Sequence, residues 1–227
     1  MTNDMSDKTP QKYNNAVALE DRNIVDGRMF SPSAGRNKAV VAANLAELLP
    51  QKAKVLEIAS GTGEHGAALA QLRSDVLWQY SDIDPQSRSS QVAWADYISP
   101  KIKDAGLRAP LNLDMCATDW THSLDRFDAL FSANMIHIAP WEAALGLAAG
   151  AVDVLTDSGA IWLYGPFLDG AESAPSNLAF DASLKSRNSA WGVRSIDSVK
   201  HIFAKHGFNG YSRRDLPKNN LLLGFSR

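Results

Sequence analysis

The chain of 227 residues has a single cysteine, Cys116, so it can form no internal disulfide and has no partner cysteines for a zinc site. It also lacks any run approaching the roughly 20 apolar residues that cross a bilayer, so no membrane span is expected. The stretch to Tyr13 is polar and without the apolar core of a secretion signal, which makes the cytosol the expected location. Positive charge is scarce: 23 Lys and Arg stand against 25 Asp and Glu, giving a net charge of −2. A nucleic-acid binder draws most of its affinity from a basic stripe or patch, and none is evident, so no nucleic-acid partner is expected. What remains is ordinary globular material. Apolar residues make up 45% of the chain, ample for the core of a single domain.

Residues 1–25 are rich in polar types and read as a mobile leader, with one domain expected over 26–227. Residues 26–35, punctuated by Gly27, Pro32 and Gly35, are expected to form an irregular loop. Beyond it, Val40, Val41, Leu45 and Leu48 recur at helical spacing up to Pro50. Short apolar runs then alternate with helical stretches. Strands are expected at 54–59, 76–81, 111–114, 127–132 and 160–164, with helices at 66–72, 87–97, 140–155 and 196–206. This alternation predicts an α/β fold with a doubly wound, mainly parallel sheet. Two further strands, at 208–215 and 220–225, have no helix between them, so they predict an antiparallel hairpin at the sheet edge and bring the count to seven. Residues 166–194 interrupt the rhythm, and an excursion of this length reads either as a lid that binds substrate or as a surface insertion.

The strongest local signal is the segment Glu57-Ile58-Ala59-Ser60-Gly61-Thr62-Gly63-Glu64-His65-Gly66. A buried strand runs into closely spaced glycines and then a helix. Glycine lets the chain turn sharply and lets the backbone approach a ligand, and a helix start offers free N–H groups. Gly61, Gly63 and Gly66 satisfy the dinucleotide spacing, and Asp82 closes the next strand where an acid can hold ribose hydroxyls. Nicotinamide and S-adenosylmethionine sites share this much. Three features favour the second: an acid, Glu57, inside the first strand; Asp114 closing the third strand, placed for an adenine amino group; and the closing hairpin.

The series Glu57, Gly61-x-Gly63, Asp82, Asp114 and Asn134 resembles the ordered motifs of class I S-adenosylmethionine-dependent methyltransferases. More narrowly, the chain is similar to a family of uncharacterised methyltransferase-like proteins known as domain of unknown function 938. The marks of that likeness are Arg36-Asn37, the glycine segment, Ser81-Asp82-Ile83-Asp84, Asn134-Met135-Ile136-His137-Ile138, Tyr164-Gly165-Pro166-Phe167 and the stretch from Ser176-Asn177 to Trp191-Gly192-Val193-Arg194. Gly35 departs from the pattern, standing where an acid is expected before Arg36. The resemblance implies a Rossmann-like fold and a site for S-adenosylmethionine. Within that site, the backbone from Ala59 to Gly63 receives the methionine portion, and Asp82 the ribose. Asp114 and the Met115 amide meet the adenine edge, while Ile83 and Met115 sandwich the ring. Arg36 either meets the cofactor carboxylate or is simply solvated, and Asp84 caps the following helix.

At the end of the fourth strand, Asn134 can hold cofactor or substrate by its amide. His137 is either the general base or a ring packed beneath the cofactor. Trp141, Tyr164, Phe167 and Trp191 are candidates for an apolar acceptor pocket, with Arg194 or Lys185 meeting an anionic group. An Asn/Asp-Pro-Pro-Tyr/Phe sequence, the mark of methylation on planar amino groups, is missing. The expected partner is therefore a small-molecule methyl acceptor, with an oxygen as the expected nucleophile. An NAD(P)-dependent oxidoreductase and a non-catalytic S-adenosylmethionine-binding protein are the alternatives.

Overall fold

The computed structural model describes residues 19–102 and 106–227. A small hairpin, β1 (Asn23–Val25) and β2 (Arg28–Phe30), comes first, followed by α1 (Pro32–Leu48), β3 (Lys54–Ile58), α2 (Glu64–Leu72), β4 (Leu77–Ser81), α3 (Pro85–Ile98) and β5 (Gly106–Leu111). The second half continues with β6 (Phe127–Ala133), α4 (Trp141–Val154), β7 (Leu155–Pro166), α5 (Pro175–Arg187), α6 (Ile196–Lys205), β8 (Gly210–Leu216) and β9 (Asn220–Ser226).

Seven strands form one sheet in the order β5-β4-β3-β6-β7-β9-β8. Pairings from β5 through β7 are parallel, and β9 runs antiparallel to both β7 and β8. The seven-stranded, mainly parallel sheet with a closing hairpin is therefore present as the alternation of elements predicted. From β3 the chain winds outward to β5 and then returns to β6 on the other side of β3. This reversal opens a crevice beyond the carboxyl ends of β3 and β6, the place where open α/β sheets bind ligands.

Side-chain alternation in β3 sends neighbouring residues to opposite faces. Leu56 and Ile58 join the core beneath α4 and α6, with Leu130, Leu147 and Phe203. Val55 joins the core beneath α1 and α2, with Trp78, Tyr80 and Phe131. Glu57 shares the Val55 face and is 1% exposed. Gly66 of α2 lies against that aromatic layer: a Cβ there would come within 2.5 Å of Trp78 Nε1 and 2.6 Å of Tyr80. The third glycine of the segment thus serves close packing of helix on strand.

Three expectations need correction. The third parallel strand is Gly106–Leu111, and Asp114 lies beyond it. Pro110 interrupts the apolar pattern, but β5 is an edge strand, where a missing N–H leaves no partner unpaired. Helix α1 begins at Pro32, because Ser31 accepts from the Ala34 N–H and proline at the first helical position presets φ. The expected loop over 26–35 is mostly ordered structure. Asp26 and Gly27, with φ of 50° and 78°, close the two-residue turn between β1 and β2. β1 starts at Asn23, inside the expected leader, and the rest of that leader up to residue 18 lies outside the described residues. Among the described residues, no helix is long and apolar enough to cross a membrane.

Candidate functional site

The glycine segment leaves β3 through three left-handed residues, Ala59 (φ 53°), Gly61 (φ 55°) and Gly63 (φ 87°). Its carbonyls are held from behind: Gln91 Nε2 donates to Gly61, Ser90 Oγ to Thr62 and Tyr80 Oη to Gly63. Gly63 is the first residue flanking α2 and brings no side-chain cap, and Glu64 in the first turn places a carboxylate at the positive end of that helix. Asp82, at the end of β4, is fixed by two backbone donors. Its Oδ2 accepts from the Gly61 N–H at 2.8 Å and its Oδ1 from the Asp84 N–H at 2.9 Å. Burial raises its carboxyl above the ordinary value, and the two backbone donors oppose that shift. Asp84 caps α3, accepting from the Ser87 N–H at 2.9 Å.

Ala59 is the one residue of the three without glycine's freedom. The left-handed conformation costs an alanine about 1–2 kcal/mol, whereas glycine loses about 0.5–1 kcal/mol of extra entropy on folding. The expected result for Ala59→Gly is a gain of about 0.5–1 kcal/mol, seen in thermal unfolding as a rise of about 2 °C in Tm. An unchanged or lower Tm would mean that the Ala59 methyl contributes more through its packing than the backbone strain costs.

A cavity of about 640 Å³ covers this region, a size suited to a small-molecule or cofactor site. Its floor is the glycine segment with Asp82, Ile83, Asn134 and Tyr164. Ile83 is 47% exposed, so its side chain offers an apolar face to the opening. Arg36 also lines the cavity, and its guanidinium lies 3.9 Å from Glu20. Glu57 sits beneath the floor, its Oε2 accepting from Trp78 Nε1 at 2.9 Å. Burial pushes its carboxyl up to about 8. His65 lies above it, Nδ1 at 3.7 Å from Glu57 Oε1 and Nε2 at 2.8 Å from Asn37 Oδ1. Burial pushes this imidazole down to about 4.

Asn134 (φ 61°) ends β6 and opens the short turn Met135–His137. His137 is 1% exposed. Its Nδ1 accepts from the Arg194 N–H at 3.3 Å, and its Nε2 is buried without a partner among the described residues. Burial, reinforced by the Arg194 charge, pushes the imidazole down to about 3. Gly165 makes room for this corner. A Cβ there would lie 2.7 Å from His137 Nε2 and 3.0 Å from Asn134 Oδ1.

Several residues expected at the site stand elsewhere. Asp114 follows β5 in a turn, its Oδ1 accepting from the Cys116 N–H at 2.9 Å, and Met115 is packed into the core beneath α4. Neither lines the cavity. Phe167 is buried with its ring edge on His137 at 5.1 Å, and Trp191 is buried against Leu184 and Val193. Trp141 packs on the core beneath the Arg194 guanidinium. Nε and Nη2 of Arg194 donate to the carbonyls of Ile136, Ala139 and Ala190, which staples two turns together, and the residue does not line the cavity. Lys185 pairs with Asp181 at 2.6 Å. Of the expected aromatic wall, only Tyr164 reaches the cavity, where Phe180 of α5 joins it.

The sequence reading missed the near wall. Leu19, Glu20 and Arg22 line the cavity. Glu20 accepts from Ser31 Oγ and the Ser33 N–H, Arg187 donates to the Leu19 carbonyl, and Arg22 to Ser87 Oγ. The signal was there in Asp26-Gly27 flanked by Ile24-Val25 and Met29-Phe30, a strong short-range hairpin pattern. That hairpin anchors the preceding residues beside the glycine segment.

A family model described as "Protein of unknown function (DUF938)" matches residues 28–227. The chain belongs to this family. Solved structures with the same fold include an O-methyltransferase family protein from Burkholderia thailandensis, at TM-score 0.72 and 13% identity over 86% of this chain and 56% of that one. An O-methyltransferase family 2 protein from Planctomyces limnophilus in complex with apigenin aligns at TM-score 0.68 and 16% identity, over 86% and 60%. Human N-acetylserotonin methyltransferase in complex with S-adenosylmethionine aligns at TM-score 0.63 and 14% identity, over 86% and 51%. This DUF938 chain therefore has the class I methyltransferase fold and spans little more than half the length of these proteins.

Proposed function

We propose that the chain is an S-adenosylmethionine-dependent methyltransferase acting on an oxygen of a small molecule. The observation that carries this reading is Asp82, fixed by the Gly61 and Asp84 N–H groups at the mouth of the glycine segment with Ile83 exposed beside it. A carboxylate so placed accepts from a pair of ribose hydroxyls, and Ile83 covers one face of an adenine ring. Arg36, which lines the cavity, suits a terminal carboxylate. When bound, S-adenosylmethionine supplies a methyl group activated by its sulfonium. The protein's contribution is to hold the acceptor oxygen in line with that methyl and to exclude water, since orientation supplies much of the rate of such a transfer. Asn134, His137 and Tyr164 stand at the strand ends where the acceptor would lie, and α5 closes the far side with Phe180.

Calorimetric titration of the full chain with S-adenosylmethionine, S-adenosylhomocysteine and NADPH tests the reading. Saturable binding of the first two and none of the third is the expected result. Binding of NADPH alone would assign Gly61, Gly63 and Asp82 to a nicotinamide site instead. Cofactor binding without transfer to any acceptor would favour a non-catalytic binding protein.

A further inference from the structure

Among the described residues, the proton acceptors lining the cavity are Glu20, Asp82, His65, His137 and Tyr164, and each is committed. Glu20 is engaged by Ser31, Ser33 and Arg36. Asp82 holds the glycine segment and is assigned to the ribose. His65 is turned to Asn37 and Glu57, and burial keeps it neutral. Burial raises the Tyr164 phenol, which favours its protonated form. The Nδ1 lone pair of His137 is taken by the Arg194 N–H, so its proton resides on Nε2. That nitrogen is buried and has no partner among the described residues, and His137 lines the cavity. Buried donors are almost always satisfied, so an orphan facing a cavity marks where a ligand completes the bond.

Charge points the same way. Arg22 faces the Asp82 side and Arg36 faces Glu20. Arg187 and Lys218 also line the cavity, and neither has an acidic partner among the described residues. Lys218 sits in the β8–β9 turn at φ 65°. Asn177 of α5 holds this turn to the His137 corner, donating to the carbonyls of Asn219 and Phe167, and the Phe167 ring lies against His137.

We propose, resting on the methyl-transfer reading, that the acceptor is an organic acid whose ionised carboxylate oxygen receives the His137 Nε2–H, with Lys218 and Arg187 supplying the positive field. A carboxylic acid, with a pKa of about 4, arrives ionised at neutral pH, whereas a phenol, at about 10, does not. The acceptor oxygen forms a bond to the methyl carbon as the carbon–sulfur bond breaks and its electron pair stays on sulfur. Carboxylate and sulfonium charges cancel, the product is a methyl ester, and no proton has to be taken up. A cavity whose described residues offer no free base suits this acceptor and no acceptor that must first lose a proton. His137 then binds substrate as a donor instead of acting as the base.

The full chain is saturated with S-adenosylhomocysteine and titrated with benzoate, phenylacetate, cinnamate and hexanoate, each against its primary amide. At least one acid is expected to bind about tenfold or more tightly than its amide, as befits a hydrogen bond to a charged group. Lys218→Met is expected to weaken that acid by about three- to fivefold, leave the amide unchanged, and be rescued by Lys218→Arg. His137→Phe is expected to abolish the preference for the acid while S-adenosylhomocysteine still binds. Acids that bind are then incubated with methyl-tritiated S-adenosylmethionine. The label in the product is expected to become volatile in alkali, as an ester's does and an ether's does not. Binding of no acid, equal binding of the amides, indifference to Lys218→Met, or alkali-stable label overturns the proposal. Failure of S-adenosylhomocysteine itself to bind overturns the cofactor reading beneath it.

Discussion

Replacing Asp82 with alanine is expected to lower the affinity for S-adenosylhomocysteine by between about tenfold and 150-fold. A hydrogen bond to a charged group contributes about 1.5–3 kcal/mol, and each 1.4 kcal/mol is a factor of about ten. The lower figure corresponds to one ribose hydroxyl at about 1.5 kcal/mol and the higher to two such bonds. The residue has a second duty, because its carboxylate anchors the Gly61 and Asp84 N–H groups and so shapes the glycine segment. Asp82→Asn probes the second duty: its single oxygen can accept from only one of the two backbone N–H groups while its NH2 faces the other, so the variant should lose affinity and also unfold at a lower temperature than the wild type. Calorimetry of both variants against the wild type checks this. Unchanged affinity in the alanine variant would remove the ribose from Asp82 and undo the central assignment of the site.

The sheet could be read from the sequence because its signals are local. Val55-Leu56 and Leu130-Phe131 are buried on both faces, as interior parallel strands are, and helices fill the intervals between such runs. The glycine segment was equally plain, since sharp turns need glycine wherever they occur. Strand β5 was misplaced because Pro110 interrupts its apolar pattern, which is tolerated here only because this strand lies at the sheet edge. The near wall was missed for a different reason: the polar composition of the first residues outweighed the Asp26-Gly27 turn, although that turn was itself a local signal.

The acceptor end was read least well, because which aromatic residue faces a cavity is settled by tertiary packing. Tyr164 lies within β7 and Phe167 just past its end, three residues on, yet one lines the cavity and the other packs on His137. Nothing in the sequence distinguishes them. Arg194 illustrates the same limit. Its charge suggested a ligand, but its Nε and Nη2 donate to three carbonyls that come together only in the folded chain.

Glu57→Gln is expected to stabilise the free protein at neutral pH and to flatten its dependence on pH. Burial raises the Glu57 carboxyl from 4.5 to about 8, partly offset by the Trp78 donor. In the unfolded chain the group ionises near its ordinary value, so between these two limits the folded state holds a proton that the unfolded state has released. Stability from this group is therefore fully present below about pH 4.5, declines as pH rises, and is lost once pH passes about 8. At pH 7 the difference amounts to about 3 kcal/mol. Glutamine has nearly the same shape, keeps an oxygen to accept from Trp78 Nε1, and carries no titrating proton. Chemical denaturation at intervals from pH 5 to pH 9 should show wild-type stability falling along this limb and the variant's staying level. The two proteins should be close at pH 5 and furthest apart at pH 9. Parallel curves would mean that the carboxyl is ionised in the folded protein throughout, with His65, 3.7 Å away, as the nearest group able to share the proton. The same variant separates fold from ligand. If the carboxylate is kept for the positive charges of S-adenosylmethionine, the stabilised protein binds that cofactor less tightly while holding uncharged adenosine unchanged.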